Sequence, residues 1–267
     1  MMLRHAVRPN VQAILGKLPK TLNETYERVL KNIDETNRDH ARRLLHCLAV
    51  SVRPLRVEEL AEILNFDFDD EALDEAPECI PKFNPSPNRK HKDQEDELLS
   101  ICSSLITIVD KSGSRVVQFS HLSVKEFLTS DHLASPTDDP ITYRILPKRA
   151  HTIFAQACLG LLLHLDGHDD NKSIKESPLA EYAARHWIAH AQFEGVASSV
   201  EDGVKFLYDP GKPHVTTWIG LYNHYSGAKK DEVTCSSCLI SFACTVDAKG
   251  CCREQDRAER SKMVLST

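Results

Sequence analysis

Apolar residues recur at helical spacing in three successive stretches near the start of the chain. In "LPKTLNETYERVLKNI" (18–33), Leu22, Tyr26, Val29, Leu30 and Ile33 fall on one face. Thr21 and Glu24 supply the S/T-x-x-E pattern of a capping box, in which two side chains satisfy amide donors left free at a helix start. A second helix carries Ala41, Leu44, Leu45, Leu48 and Ala49 inward and stops before Pro54, whose ring disfavours helical geometry in the residue preceding it. In "VEELAEILNF" a third places Val57, Leu60, Ala61 and Leu64 on its inner face.

The pattern then dissolves. Residues 67–97, rich in proline and in runs of charge, read as a disordered loop, followed by a short helical turn around Leu98 to Ser103. Two β-branched runs in "LITIVDKSGSRVVQF", joined through Lys111, Ser112, Gly113 and Ser114, predict a β-hairpin. "FSHLSVKEFL" (119–128) follows directly. Ser123 and Glu126 match a second capping box, so the predicted helix begins at Val124 and turns Val124, Phe127 and Leu128 to the core. His121 lies just before that cap. Helix, helix, helix, hairpin is the order of a winged-helix domain, placed at 18–134. Helical periodicity resumes in "HTIFAQACLGLLLHL" and "PLAEYAARHWIAHAQF", and with "VEDGVKFLYD" and "HVTTWIGLYNHY" predicts an all-helical module over 140–225. The fold class is mainly α. Residues 226–267 read as a disordered, cysteine-containing tail, and 1–17 as the remnant of an upstream module.

Composition narrows the chemistry. A net charge of −6 disfavours a general nucleic-acid binder, which needs a basic face to displace counterions from phosphates. A winged helix raises DNA binding, but its third helix carries Glu58, Glu59 and Glu62 against Arg56. Arg4, Arg8, Pro9 and Asn10 interrupt any signal-peptide core, and the longest apolar run, 155–165, is too short for a bilayer. No membrane partner is expected. Cys47, Cys79, Cys102 and Cys158 sit singly among apolar neighbours, as buried thiols of a cytoplasmic protein do.

Catalytic signatures are missing. No G-x-S-x-G elbow and no G-x-x-x-x-G-K-S/T occur, so no nucleophile or phosphate cradle is assigned, and no enzyme activity or cofactor is expected. Asp67, Asp69 and Asp70 lack the glycine and closing spacing of a calcium loop. Cys235 and Cys238 have zinc-knuckle spacing, but Cys244, Cys251 and Cys252 do not complete a second pair, so no metal is assigned.

Six ordered blocks carry a resemblance: "LPKTLNETYERVL", "RPLRVEELAEIL", "ICSSLITIVD", "VVQFSHLSVKEFLTS", "ILPKRAHTIFAQACLG" and "PLAEYAARHWIAHA". Over about residues 18–225 the chain resembles the region that follows the nucleotide-binding module in fungal NACHT proteins. These are NOD-like signalling ATPases of the STAND class, often ending in ankyrin repeats. Their winged helix is labelled after the GPI inositol-deacylases; without the elbow, no deacylase activity is carried over. In the wider family a histidine in F-x-H, ahead of a helix with an E-F/Y pair, reaches the β-phosphate of ADP in the inactive state. Phe119, His121, Glu126 and Phe127 match that pattern. The resemblance implies a non-catalytic regulatory fragment whose partner is a nucleotide-binding NACHT domain, in cis or in trans, with His121 as its phosphate sensor. A stand-alone protein-interaction or DNA-binding winged helix is the alternative.

Overall fold

A computed structural model describes residues 21–68, 80–85, 91–133, 143–165 and 177–226. The expected upstream remnant (1–17) and all but one residue of the expected tail (226–267) lie outside them, as do Cys79, Asp69, Asp70 and the tail cysteines.

Helix α1 (Leu22–Lys31) starts where the sequence places it: the Thr21 hydroxyl accepts from the Glu24 amide at 3.1 Å. Leu30 and Ile33 are buried, but Leu22 is 53% exposed and does not join the core. Helix α2 (Arg38–Val50) is buried on every side from Ala41 to Ala49, although its spacing marks only one apolar face. The reason is its position, with α3, α4 and the second module's α6 all packed against it. Part of its polar complement is met nearby, although His46 Nε2 is buried without a hydrogen-bond partner among the described residues. His46 donates from Nδ1 to the Arg42 carbonyl at 2.7 Å, and Arg43 stacks over Phe68.

Strand β1 (Leu55–Arg56) leads into α3 (Val57–Glu62), a single extended turn continued by a 3-10 segment, Ile63–Asn65. The stretch expected to be loop from 67 to 97 departs from that expectation twice. Phe66–Asp67 (β2) pairs antiparallel with Lys82–Phe83 (β3), and His91–Cys102 forms a 12-residue helix, α4, with Leu98 and Ile101 buried. The helix carries its acidic run, Asp93, Glu95, Asp96 and Glu97, ahead of a short apolar end, so charge count alone reads as solvated loop. Strands β4 (Ile106–Lys111) and β5 (Ser114–Phe119) form the expected hairpin. Its two-residue turn puts Ser112 (φ 52°) and Gly113 (φ 80°) in the left-handed region, the twist a tight hairpin requires. With β1 on β5 the sheet runs β1-β5-β4, completing a winged helix.

Helix α5 (Leu122–Thr129) follows β5. Lys125 donates to the Ala49 carbonyl at 2.8 Å, closing the last turn of α2, where carbonyls lack helical partners. The second module comprises α6 (Pro147–His164), α7 (Ala180–Ala191), α8 (Glu201–Leu207) and α9 (His214–Ser226). Trp187 and Trp218 pack edge to face at 5.3 Å, and the Trp218 indole donates to the Ala184 carbonyl. The apolar cores of the two modules are continuous. Cys47, Cys102 and Cys158 are buried free thiols, as expected, and burial pushes all three up, Cys102 to about 12.

Ile80 to Phe83 lie over the second module. A Cβ on Gly160 of α6 would meet the Pro81 carbonyl at 2.8 Å, and one on Gly203 of α8 would run into Ile80 Cδ1. Phe83 packs against Phe66 and His164, so this segment is seated by two glycine notches and two aromatic rings.

Candidate functional site

His121 is the N-cap of α5, with extended backbone (φ −152°, ψ 152°) between β5 and the helix. The cap differs from the expected Ser123–Glu126 box. The helix begins two residues earlier, at Leu122, and the group that accepts the free amide of Ser123 is His121 Nδ1, at 3.2 Å. Glu126 is exposed. Ser123, now inside the first turn, places its hydroxyl 2.6 Å from His121 Nδ1 and 2.8 Å from the Tyr26 hydroxyl of α1. Tyr26 also packs against Phe127 at 5.4 Å.

These contacts fix the proton positions. A backbone amide can only donate, so Nδ1 is an acceptor and the neutral ring carries its hydrogen on Nε2. Ser123 Oγ therefore donates to Nδ1 and accepts from Tyr26. His121 is exposed, and Nε2 has no hydrogen-bond partner among the described residues. Beside it Leu122 is 67% exposed. The corner thus presents one N–H donor with an apolar neighbour.

A serine within 2.6 Å of a histidine also has the spacing of a nucleophile and base. Here the base is held through Nδ1, and among the described residues no carboxylate orients its Nε2. The third member of such an arrangement is missing. Among the described residues no cluster of three His, Cys, Asp or Glu side chains could hold a metal, and no helix is long and apolar enough to cross a membrane.

Helix α3, the groove-reading element of a DNA-binding winged helix, is enclosed. Glu59 accepts a two-pronged contact from Arg53 at 2.7 and 2.8 Å and further bonds from the Arg56 amide and guanidinium. Burial pushes this carboxylate up, but those bonds and charges outweigh it and hold it below its ordinary value. Glu62 reaches across to the second module, accepting from Ser177 Oγ and from the Leu179 amide at 2.6 Å. There burial wins over the hydrogen bonds, and Glu62 is pushed up to about 7. Reading a groove with α3 would mean pulling α7 away.

Sequence reasoning missed a second polar group at the same junction. The Val52 amide donates to Tyr182 Oη at 3.0 Å, Tyr182 Oη lies 2.9 Å from His190 Nε2, and His190 Nδ1 lies 2.9 Å from His151 Nδ1. Satisfying every atom gives one direction: Tyr182 donates to Nε2, and His190 donates from Nδ1 to His151. Burial lowers His190 to about 3 and holds His151 and His186 below the usual imidazole range. A sequence signal existed, since His186 and His190 are four residues apart in an alanine-rich helix. Their partners, on α6 and in the turn before β1, are brought together only by the fold.

Residues 26–137 match the family model described as GPI inositol-deacylase, winged helix domain. The first module is a winged-helix domain of that type. A curated protein of Monascus ruber, "Azaphilone pigments biosynthesis cluster protein L", is 34% identical over 218 residues, covering 78% of this chain. The chain spans 43% of that relative's length. No solved structure matches.

Proposed function

We propose that this winged-helix body is a non-catalytic regulatory unit that packs on a nucleotide-binding NACHT domain, in cis or in trans, and holds its ADP-bound, inactive state. The observation that carries the reading is the His121 corner: a histidine fixed at a helix cap, its inner nitrogen occupied and its outer N–H turned to solvent. Such a donor suits a phosphate oxygen, and a bond to that charged group contributes about 1.5 to 3 kcal/mol. Leu122, and Leu22 one turn before Tyr26, are exposed apolar side chains that a packed module would cover. The F-x-H resemblance and the winged-helix match support the same role, as does the greater length of the Monascus relative, which leaves room for further modules there.

Nucleotide exchange would break the histidine contact and release the two bodies, a shift of population between closed and open states. The test is ADP release from a NACHT module with and without this chain. Slower release in its presence, restored by His121→Ala, supports the reading; no binding, or no effect of His121→Ala, ends it. The protein-interaction alternative draws on the same exposed leucines and predicts binding that ignores the nucleotide.

A further inference from the structure

We infer that Tyr26 and Ser123 are positioning residues for His121, aligned as a directional chain of hydrogen bonds that fixes both the tautomer and the orientation of its ring. The inference rests on the reading of His121 as the phosphate-facing donor. Three distances carry it: Tyr26 to Ser123 at 2.8 Å, Ser123 Oγ to Nδ1 at 2.6 Å, and the Ser123 amide to Nδ1 at 3.2 Å.

The amide fixes Nδ1 as an acceptor, which makes Ser123 the donor to it and leaves the Ser123 oxygen to accept from Tyr26. Each group in the row has one role, and the row ends in an N–H at Nε2 that points outward. A histidine free to take either tautomer, or to turn about χ1, would offer a lone pair to a phosphate part of the time. This one offers only a donor.

The origin of the row is informative. Tyr26 belongs to α1, while Ser123 and His121 belong to the corner after β5, 97 residues further on for the Tyr26–Ser123 pair. The sensor is therefore set by the seating of the first helix, and any displacement of α1 withdraws the support of its ring. Tyr26 is held there by its packing on Phe127, so the hydroxyl can be removed without removing the ring contact.

The experiment reads imidazole nitrogen shifts in the intact chain, with His121→Gln to identify the signal. In the wild type, Nδ1 is expected as an unprotonated, hydrogen-bonded nitrogen and Nε2 as the protonated one. Ser123→Ala should move Nδ1 downfield towards a free acceptor, Tyr26→Phe should move it the same way by less, and Ser123→Thr should restore it. A protonated Nδ1 in the wild type, or an Nδ1 signal indifferent to both substitutions in a folded chain, overturns the inference. A second arm measures ADP release with a NACHT module present: both variants should accelerate it several-fold, and neither should add to His121→Ala. If the shifts behave as stated but ADP release ignores His121→Ala, the phosphate reading fails and the positioning stands. If His121→Ala matters but the shifts do not move, the reverse holds.

Discussion

The carboxylate of Glu62, on the third helix of the winged helix, accepts the Leu179 amide at 2.6 Å, immediately ahead of α7. A side chain of one module thus does for a helix of the other what an N-cap residue does locally, meeting an amide that has no helical partner. Because Glu62 is buried and also receives Ser177, it couples the modules through a titratable group.

That coupling has a pH signature. Glu62 is raised from 4.5 to about 7, so between those values the folded chain holds a proton that the unfolded chain has lost. Stability is fully present below about 4.5 and declines as pH rises towards 7. Glu62→Gln should remove this slope and be the more stable form at pH 8, by up to roughly 3 kcal/mol, with the advantage shrinking towards pH 5. Thermal unfolding of both proteins across that range checks it.

The histidines act in the opposite sense. His190 and His46 are lowered from 6.5 to about 3 and about 4, so the unfolded chain takes up protons first on acidification. Their contribution is present above 6.5 and is lost as pH falls through that window. Each group adds a slope of about 1.4 kcal/mol per pH unit where only the unfolded chain is protonated. His46→Met should flatten the acid side of the profile by one proton, measured as the change in unfolding free energy between pH 6.5 and 4.5.

Arg53→Met leaves the buried Glu59 with part of its charge uncompensated, since Arg53 provides both prongs of its main contact. Loss of about 3 kcal/mol is expected, as for other broken buried pairs. The double variant Arg53→Met with Glu59→Met should recover part of it. A denaturant midpoint for all four proteins gives the coupling energy directly.

Gly160→Ala gains about 1 kcal/mol of helix propensity but drives a methyl into the Pro81 carbonyl, a backbone atom 2.8 Å away. Overpacking costs about 1 to 3 kcal/mol and should win, lowering the melting temperature. Gly203→Ala meets side-chain atoms alone, of Ile80 and Leu159, which can shift where a backbone carbonyl cannot, so the smaller loss is expected there.

What the sequence disclosed follows from how local each feature is. The three helices, the hairpin with its Ser112–Gly113 turn, and the Thr21 cap are written in periods and turn chemistry within a few residues. Ser123 shows the limit. Its S-x-x-E spacing is that of a cap, but Tyr26 claims its hydroxyl from α1, and His121 takes the amide instead. The α4 helix was hidden by its charges, and the Ile80–Phe83 segment by having its partners on α6 and α8. His121 was legible through motif and position, whereas Glu62 draws its hydrogen-bond partners from more than 100 positions away and His190 one of its two, His151, from another helix.

Burial of α2 on every side has a mechanical consequence. Lys125 fastens α5 to the end of that helix, the Ile145 amide ties the following segment to the Leu128 carbonyl, and α6 packs directly on α2. With one apolar core running through both modules, pulling them apart would bare α2, so they are expected to give way together as one cooperative unit.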